Sequence, residues 1–231
     1  MGRPMRLALM LFWLAFAAQG ADFDKGVAAF NAGDYATALR EWKPLAEQGD
    51  AEGQASLGLL YYNGQGVPQD QKEAATWLRL AADQGDADAQ FNLGQMYREG
   101  LGVPQDYKEA VKCYRLAAEQ GHAKAQFNLG VSYDDGHGVP QDYKEAVKWY
   151  RLAADQGYAS AQPNLGIMYA NGQGVPQDAP TAYMWINIAA AAGNKTATQN
   201  RDKITQTMTP AQIEKGQGIT RACIARNYKS C

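Results

Sequence analysis

Cysteine and histidine are nearly missing from this chain, with three Cys and two His in 231 residues. Those counts exclude a disulfide-framework miniprotein and a Cys/His metal domain. No charge of one sign prevails. The 22 basic residues stand against 24 acidic ones, a net charge of −2, which argues against a nucleic-acid binder. Catalytic signatures are absent as well. There is no Gly-x-Ser-x-Gly, no His-Glu-x-x-His, no Walker-type phosphate loop, no Ser-x-x-Lys and no Cys-x-x-Cys. The one long apolar run without a charge is Leu7 to Ala18. It is shorter than the roughly 20 residues that a membrane-spanning helix needs. Arg3 and Arg6 precede it and small residues follow, so 1–20 reads as a signal peptide cleaved before Ala21. The mature chain is then periplasmic or secreted, in an oxidising compartment and without a transmembrane anchor.

What the chain has in plenty is Ala and Gly, 40 and 24 residues, and most of the Gly sits at fixed intervals. Gly-Val-Pro-Gln-Asp occurs four times, with Val at 67, 103, 139 and 175, a spacing of 36. Four repeats follow, 51–86, 87–122, 123–158 and 159–194. The second and third agree at 27 of 36 positions. Each repeat reads as two helices. In the first, Ala87, Gln90, Leu93, Gly94 and Tyr97 share an arc of about 120° on a helical wheel, which marks the packing face. Gly94 in mid-helix costs about 1 kcal/mol against Ala. Repeated four times, that cost calls for a compensating close approach of a neighbouring helix.

The loop from Gly100 to Asp106 ends the first helix and starts the second. Gly100 suits a left-handed C-terminal cap, Pro104 stops continuation, and Asp106 with Glu109 has capping-box spacing. The second helix runs from Tyr107 to Glu119, with Ala110, Cys113, Tyr114 and Ala117 on one face and Arg115 and Glu119 four apart on the outer one. Residues 21–50 read as a partial repeat acting as a cap, with a helix from Tyr35 to Glu47. Residues 195–231 read as a helical C-terminal cap, with a second start signal at Thr209-Pro210-Ala211-Gln212 and a helix to about Arg226. Charge is uneven along this frame: residues 21–194 carry a net −9 and 195–231 a net +5.

The pattern Ala-x-Ala-Gln-x-x-Leu-Gly-x-x-Tyr-x-x-Gly-x-Gly-Val-Pro-x-Asp, then Ala-x-x-Trp-Tyr-x-x-Ala-Ala-x-Gln-Gly, resembles the Sel1-like repeat, a relative of the tetratricopeptide repeat. The resemblance covers 51–194 closely and the flanks loosely. It implies an all-α fold, an α/α superhelical solenoid of antiparallel helix pairs. It also implies a non-enzymatic adaptor without cofactors that binds a protein or peptide. A cysteine-rich branch of that family is linked to penicillin binding and β-lactamase-like activity, but its paired Cys are missing here. A β-lactamase-like hydrolase is therefore kept as the alternative, and a cell-envelope assembly factor as a third reading. The fourth repeat departs from the pattern: Pro163 enters its first helix, and Ala179-Pro180-Thr181 replaces Tyr-Lys-Glu.

Positions that vary among repeats are free to specialise. On the first helices they form the stripe Ala55/Phe91/Phe127/Pro163, Leu59/Gln95/Val131/Ile167 and Tyr62/Arg98/Asp134/Ala170. In tetratricopeptide-type stacks the first helices line the concave surface. Leu59, Tyr62, Phe91, Gln95, Arg98, Phe127, Val131, Asp134 and Ile167 are therefore the candidate partner-binding residues, suited to an extended peptide or a partner helix. The competing reading packs Phe91 and Phe127 between repeats. Cys113 stands where other repeats carry Trp77, Trp149 and Trp185, and reads as a buried, inert thiol. Cys223 and Cys231 are expected to form a disulfide that pins the tail, with two free thiols as the alternative. His122 and His137 read as solvated loop residues.

Overall fold

Residues 20–229 and 231 are described by the computed structural model of the chain. The signal segment read from the sequence lies outside them, except for Gly20. Twelve helices and no strands occur among the described residues. Their starts follow from local chemistry. A helix leaves its first N–H groups without partners, and a side-chain acceptor just before it supplies one. Asp22, Asp34, Asp50, Asp70, Asp86, Asp106, Asp142, Asp178, Asn194 and Thr209 all do so, and His122 does so with Nδ1, which accepts from the Ala125 N–H at 3.1 Å. His122 is thus a helix cap and not a loop bystander. The nitrogen that accepts carries no proton in this arrangement.

Residues 21–50 hold α1 (Phe23–Asn31) and α2 (Tyr35–Glu47). Repeat 1 is α3 (Ala51–Asn63) and α4 (Gln71–Asp83), and repeat 2 is α5 (Ala87–Glu99) and α6 (Tyr107–Glu119). Repeat 3 is α7 (Ala123–Asp135) and α8 (Tyr143–Asp155), and repeat 4 is α9 (Ala161–Asn171) and α10 (Ala179–Ala191). After the fourth repeat come α11 (Lys195–Thr205) and α12 (Pro210–Ala225). The chain divides into two compact units, one ending at Cys113 and the other starting at Tyr114. Within each, helices pack consecutively: α1 to α5 in the N-terminal unit, α7 to α11 in the C-terminal one.

The connecting loop is the same machine four times. Gly64, Gly100, Gly136 and Gly172 end the first helices in the left-handed conformation, with φ of 67° to 74°. Gln69, Gln105, Gln141 and Gln177 turn back and donate from Nε2 to the carbonyls of Tyr62, Arg98, Asp134 and Ala170, at 2.6 to 2.8 Å. The following Asp caps the second helix. The Gln-Asp pair therefore closes one helix and opens the next. The second loop glycine is fixed by space. A Cβ on Gly66 would lie 2.6 Å from the Tyr35 carbonyl oxygen, on Gly102 1.9 Å from that of Gln71, and on Gly174 2.2 Å from that of Tyr143. Each of these is the first residue of the preceding second helix, so the loop rests directly on its neighbour's backbone.

Repeat 4 departs for two physical reasons. Tyr158 holds the place where Asp86 and His122 cap, so α9 begins late, at Ala161, without a side-chain cap. Pro163 then falls in its first turn, where a missing N–H is tolerated. The second departure is the seat of α12, which packs on α10. The outward positions held by Lys108, Lys112 and Leu116, and again by Lys144, Lys148 and Leu152, become Pro180, Met184 and Ile188. Leu116 and Leu152 are 51% and 41% exposed, whereas Ile188 is 4% exposed. On α12 the buried residues are Gly216, Thr220 and Cys223, one helical face. A Cβ on Gly216 would lie 2.7 Å from the Tyr183 ring.

Gly102→Ala is expected to cost clearly more stability than Gly49→Ala. Both glycines have positive φ, 69° and 94°, but no atom lies near a Cβ on Gly49. Gly49→Ala should cost about 1–2 kcal/mol for left-handed strain alone, and Gly102→Ala that plus a backbone displacement. Urea denaturation of the two variants measures the difference.

Candidate functional site

Each first helix shows three faces, and two of them are spent on structure. The first carries the glutamines of the packing arc. Gln54, Gln90 and Gln126 are buried and donate to the Ala46, Ala82 and Ala118 carbonyls at 3.1 to 3.2 Å. Gln84 Nε2 reaches back 2.8 Å to Gln54 Oε1 and 3.0 Å to the Gly49 carbonyl. Gln156 does the same to Gln126 at 2.7 Å and to Gly121 at 3.0 Å. A buried amide left unpaired would cost more than a made bond gains, and in Gln54 and Gln126 both ends are used. Beside them, Gly58, Gly130 and Gly166 let Leu78, Tyr150 and Ile186 approach to 2.6–2.8 Å of where a Cβ would stand. The close approach expected of a mid-helix glycine is present at these three.

The second face carries tyrosines that clasp the preceding repeat. Arg79 donates to the Tyr97 hydroxyl at 2.8 Å and Arg115 to that of Tyr133 at 2.6 Å, and Arg151 reaches Tyr169. The guanidinium carbons also sit 5.8 to 5.9 Å from the same rings. Arg115 therefore serves Tyr133, eighteen residues away, instead of Glu119 four residues away. Periodicity within one helix could not show this. The repeat spacing could, since Arg79/Tyr97, Arg115/Tyr133 and Arg151/Tyr169 recur in step.

The third face is the variable stripe. In the N-terminal unit, Leu59, Tyr62, Gln95 and Arg98 are half-buried, and Phe91 is 7% exposed and belongs to the interior. The Arg98 guanidinium pairs with Glu99 at 2.5 Å. In the C-terminal unit, Phe127 is half-buried, its ring 5.8 Å from that of Tyr150 and 5.4 Å from that of Tyr158. Much of the Phe91 and Phe127 surface is thus committed to packing. Val131 and Asp134 are half-buried, and Ile167 is 37% exposed. Asp134 accepts from the Tyr150 hydroxyl at 3.1 Å. Burial raises its carboxyl above the ordinary value, and that hydrogen bond offsets part of the rise.

The remaining candidates are settled by position. Cys113 is buried, and its thiol is pushed up to about 11, chiefly by burial and then by Glu109, so it stays protonated at neutral pH. Cys223 and Cys231 sulfurs lie at bonding distance, with Cα atoms 5.4 Å apart. Cys223 is fully buried, and the Tyr228 ring between them in sequence lies against Gly157. No group of three or more His, Cys, Asp or Glu that could hold a metal occurs among the described residues. No helix among them is long and apolar enough to cross a membrane.

Helix pairs packed in sequence, glued by a repeated polar ladder and differing along one stripe, define an α-helical repeat scaffold. The chain belongs to the Sel1 repeat family, whose model matches 51–86, 87–122, 123–158 and 159–194, and whose members generally mediate protein–protein interaction. It is similar to a protective antigen of uropathogenic Escherichia coli strains that displays an SLR fold, at 37% identity and TM-score 0.76 over 83% of this chain. The chain spans 41% of that protein's length. It is also similar to a Sel1 repeat protein from Oxalobacter formigenes, at 32% identity and TM-score 0.74, covering 85% of both chains. No curated protein matches.

Gln126→Ala removes both a donor to Ala118 and an acceptor for Gln156. It should cost about 1–3 kcal/mol, as for other buried partners left unpaired. Gln48→Ala, at an exposed helix end, serves as the control in the same denaturation series.

Proposed function

We propose that this chain is an exported, non-enzymatic scaffold whose first-helix stripe holds a segment of a partner protein. One observation carries the reading. Polar side chains that recur among the repeats are used structurally, on caps, on the glutamine ladder and on the Arg–Tyr clasps, whereas the stripe changes in size, polarity and charge from repeat to repeat. A face that is only partly used in packing, at Phe91 and Phe127, and that changes from repeat to repeat is suited to recognition. Its chemistry is mixed, with aliphatic Leu59, Val131 and Ile167, aromatic Tyr62, and polar or charged Gln95, Arg98 and Asp134. Such a surface suits a peptide that offers apolar side chains and backbone groups together. Tyr62 and Arg98 are the types that most often dominate binding energy.

Export is the second part of the reading. Two arginines, a twelve-residue apolar run and a small-x-small site before Ala21 support it. The partner is then sought in the periplasm or outside the cell. Arg98→Glu combined with Ile167→Asp should abolish retention of a partner by the immobilised mature chain, with helicity by circular dichroism unchanged. Thr76→Glu, on the outward face of a second helix, should leave retention intact. Loss with Thr76→Glu and not with the stripe variant contradicts the assignment.

A further inference from the structure

We propose that a cleft between α9 and α11 in the C-terminal unit binds the free C-terminus of a peptide whose last residue is aliphatic. This rests on the docking stripe proposed above and names one end of the ligand that stripe would take. The cleft has a volume of about 400 Å³, and Ile167, Ala170, Ile186 and Ile204 make up the apolar part of its lining. Ile186 comes near the surface of α9 because Gly166 has no side chain, and a Cβ there would lie 2.6 Å from Ile186 Cγ1. Lys203 stands 36 residues after Ile167, so α11 carries the variable stripe one step beyond repeat 4.

The polar lining decides the ligand. Asn171 already donates to Gln173 at 3.0 Å, and the Thr207 hydroxyl to the Ile204 carbonyl at 2.9 Å. Two groups are left unspent. The Asn200 side-chain amide and the Lys203 ammonium have no hydrogen-bond or ion-pair partner among the described residues. The neighbouring carboxylate, Asp202, is held by Arg201 at 3.0 Å. Asn200 and Lys203 are three apart on one helix and therefore face the same point. A helix C-terminus carries about half a negative charge, which works against an anion here. The last carbonyls of α9 and α11 are, however, taken by Gln177 Nε2 and by the N–H groups of Gln206 and Thr207. The Lys203 charge is whole and unneutralised. The cap as a whole is net +5 against −9 for residues 21–194, so an anion is drawn to this end.

Asn200, Lys203 and Ile204 lie at neighbouring positions of one helix, so a ligand that carries an anion and an apolar branch close together fits this lining. At a free C-terminus the carboxylate and the side chain share one Cα. An Asp or Glu side chain has no aliphatic branch at its carboxyl-bearing carbon. The cavity lies at the small end of ligand pockets and admits a terminal residue, not a helix.

Fluorescence anisotropy of an N-terminally labelled Gly-Ser-Gly-Ser-Val-Leu peptide with the mature chain tests this. The free acid should bind, and both the C-terminal amide and an amidated peptide with an internal Leu-Glu should bind at least about tenfold more weakly, the effect of losing a charge-assisted contact. Lys203→Met should weaken the acid by a similar factor and leave the amide unchanged. Equal binding of acid and amide, an acid indifferent to Lys203→Met, or no binding at all overturns the inference. If acid and amide bind alike and Ile167→Asp removes both, the docking stripe stands and only the terminal-carboxylate assignment falls.

Discussion

No side chain fits between Gly102 and the Gln71 carbonyl, and the repeat is built around that contact. Gly66 and Gly174 meet Tyr35 and Tyr143 in the same way. Because the loop sits on the preceding second helix, its backbone must take positive φ with nothing attached. Once it is there, the rest of the motif has few choices. The proline cannot continue a helix, the glutamine behind it satisfies the helix just ended, and the aspartate starts the next. A seven-residue stretch thereby fixes both the angle between two helices and the distance to the previous pair.

That rigid join frees the rest of the first helix. Its buried amides and tyrosines are committed to neighbours, and packing relies on Ala and Gly, which lose no side-chain entropy. What varies can then vary without endangering the fold. Repeat 4 shows the converse on the second helices: where a further helix had to dock, the outward Lys-Lys-Leu became Pro180, Met184 and Ile188. Surface chemistry in this chain follows what must be covered.

Much of this was legible in the sequence. The 36-residue spacing placed the helix pairs, Asp106 and Gly100 read as caps, and Thr209 with Gln212 announced α12, whose capping box is present. Helix α2 runs from Tyr35 to Glu47 as its Ala38, Trp42 and Ala46 spacing indicated. What stayed hidden depends on distance along the chain. The Arg115–Tyr133 clasp joins different helices, so no single-helix pattern reveals it. His122 looked like a loop residue because imidazole is a rare cap, although it stands where Asp50 and Asp86 do their capping. The sequence offered the stripe as a row of varying positions, but the wheel could not say that Phe91 would turn inward or that Phe127 would lie on Tyr158. The cleft beside Ile167 needs α11 in place, and only the register of Lys203 hinted at it.

The proposed partner site is the first-helix stripe and not the outward face of the second helices. Site-specific photo-cross-linking reads this directly. A photoreactive residue at Gln95 should yield a covalent adduct with the partner, while one at Thr76 should yield none. An adduct from Thr76 with none from Gln95 would contradict the account.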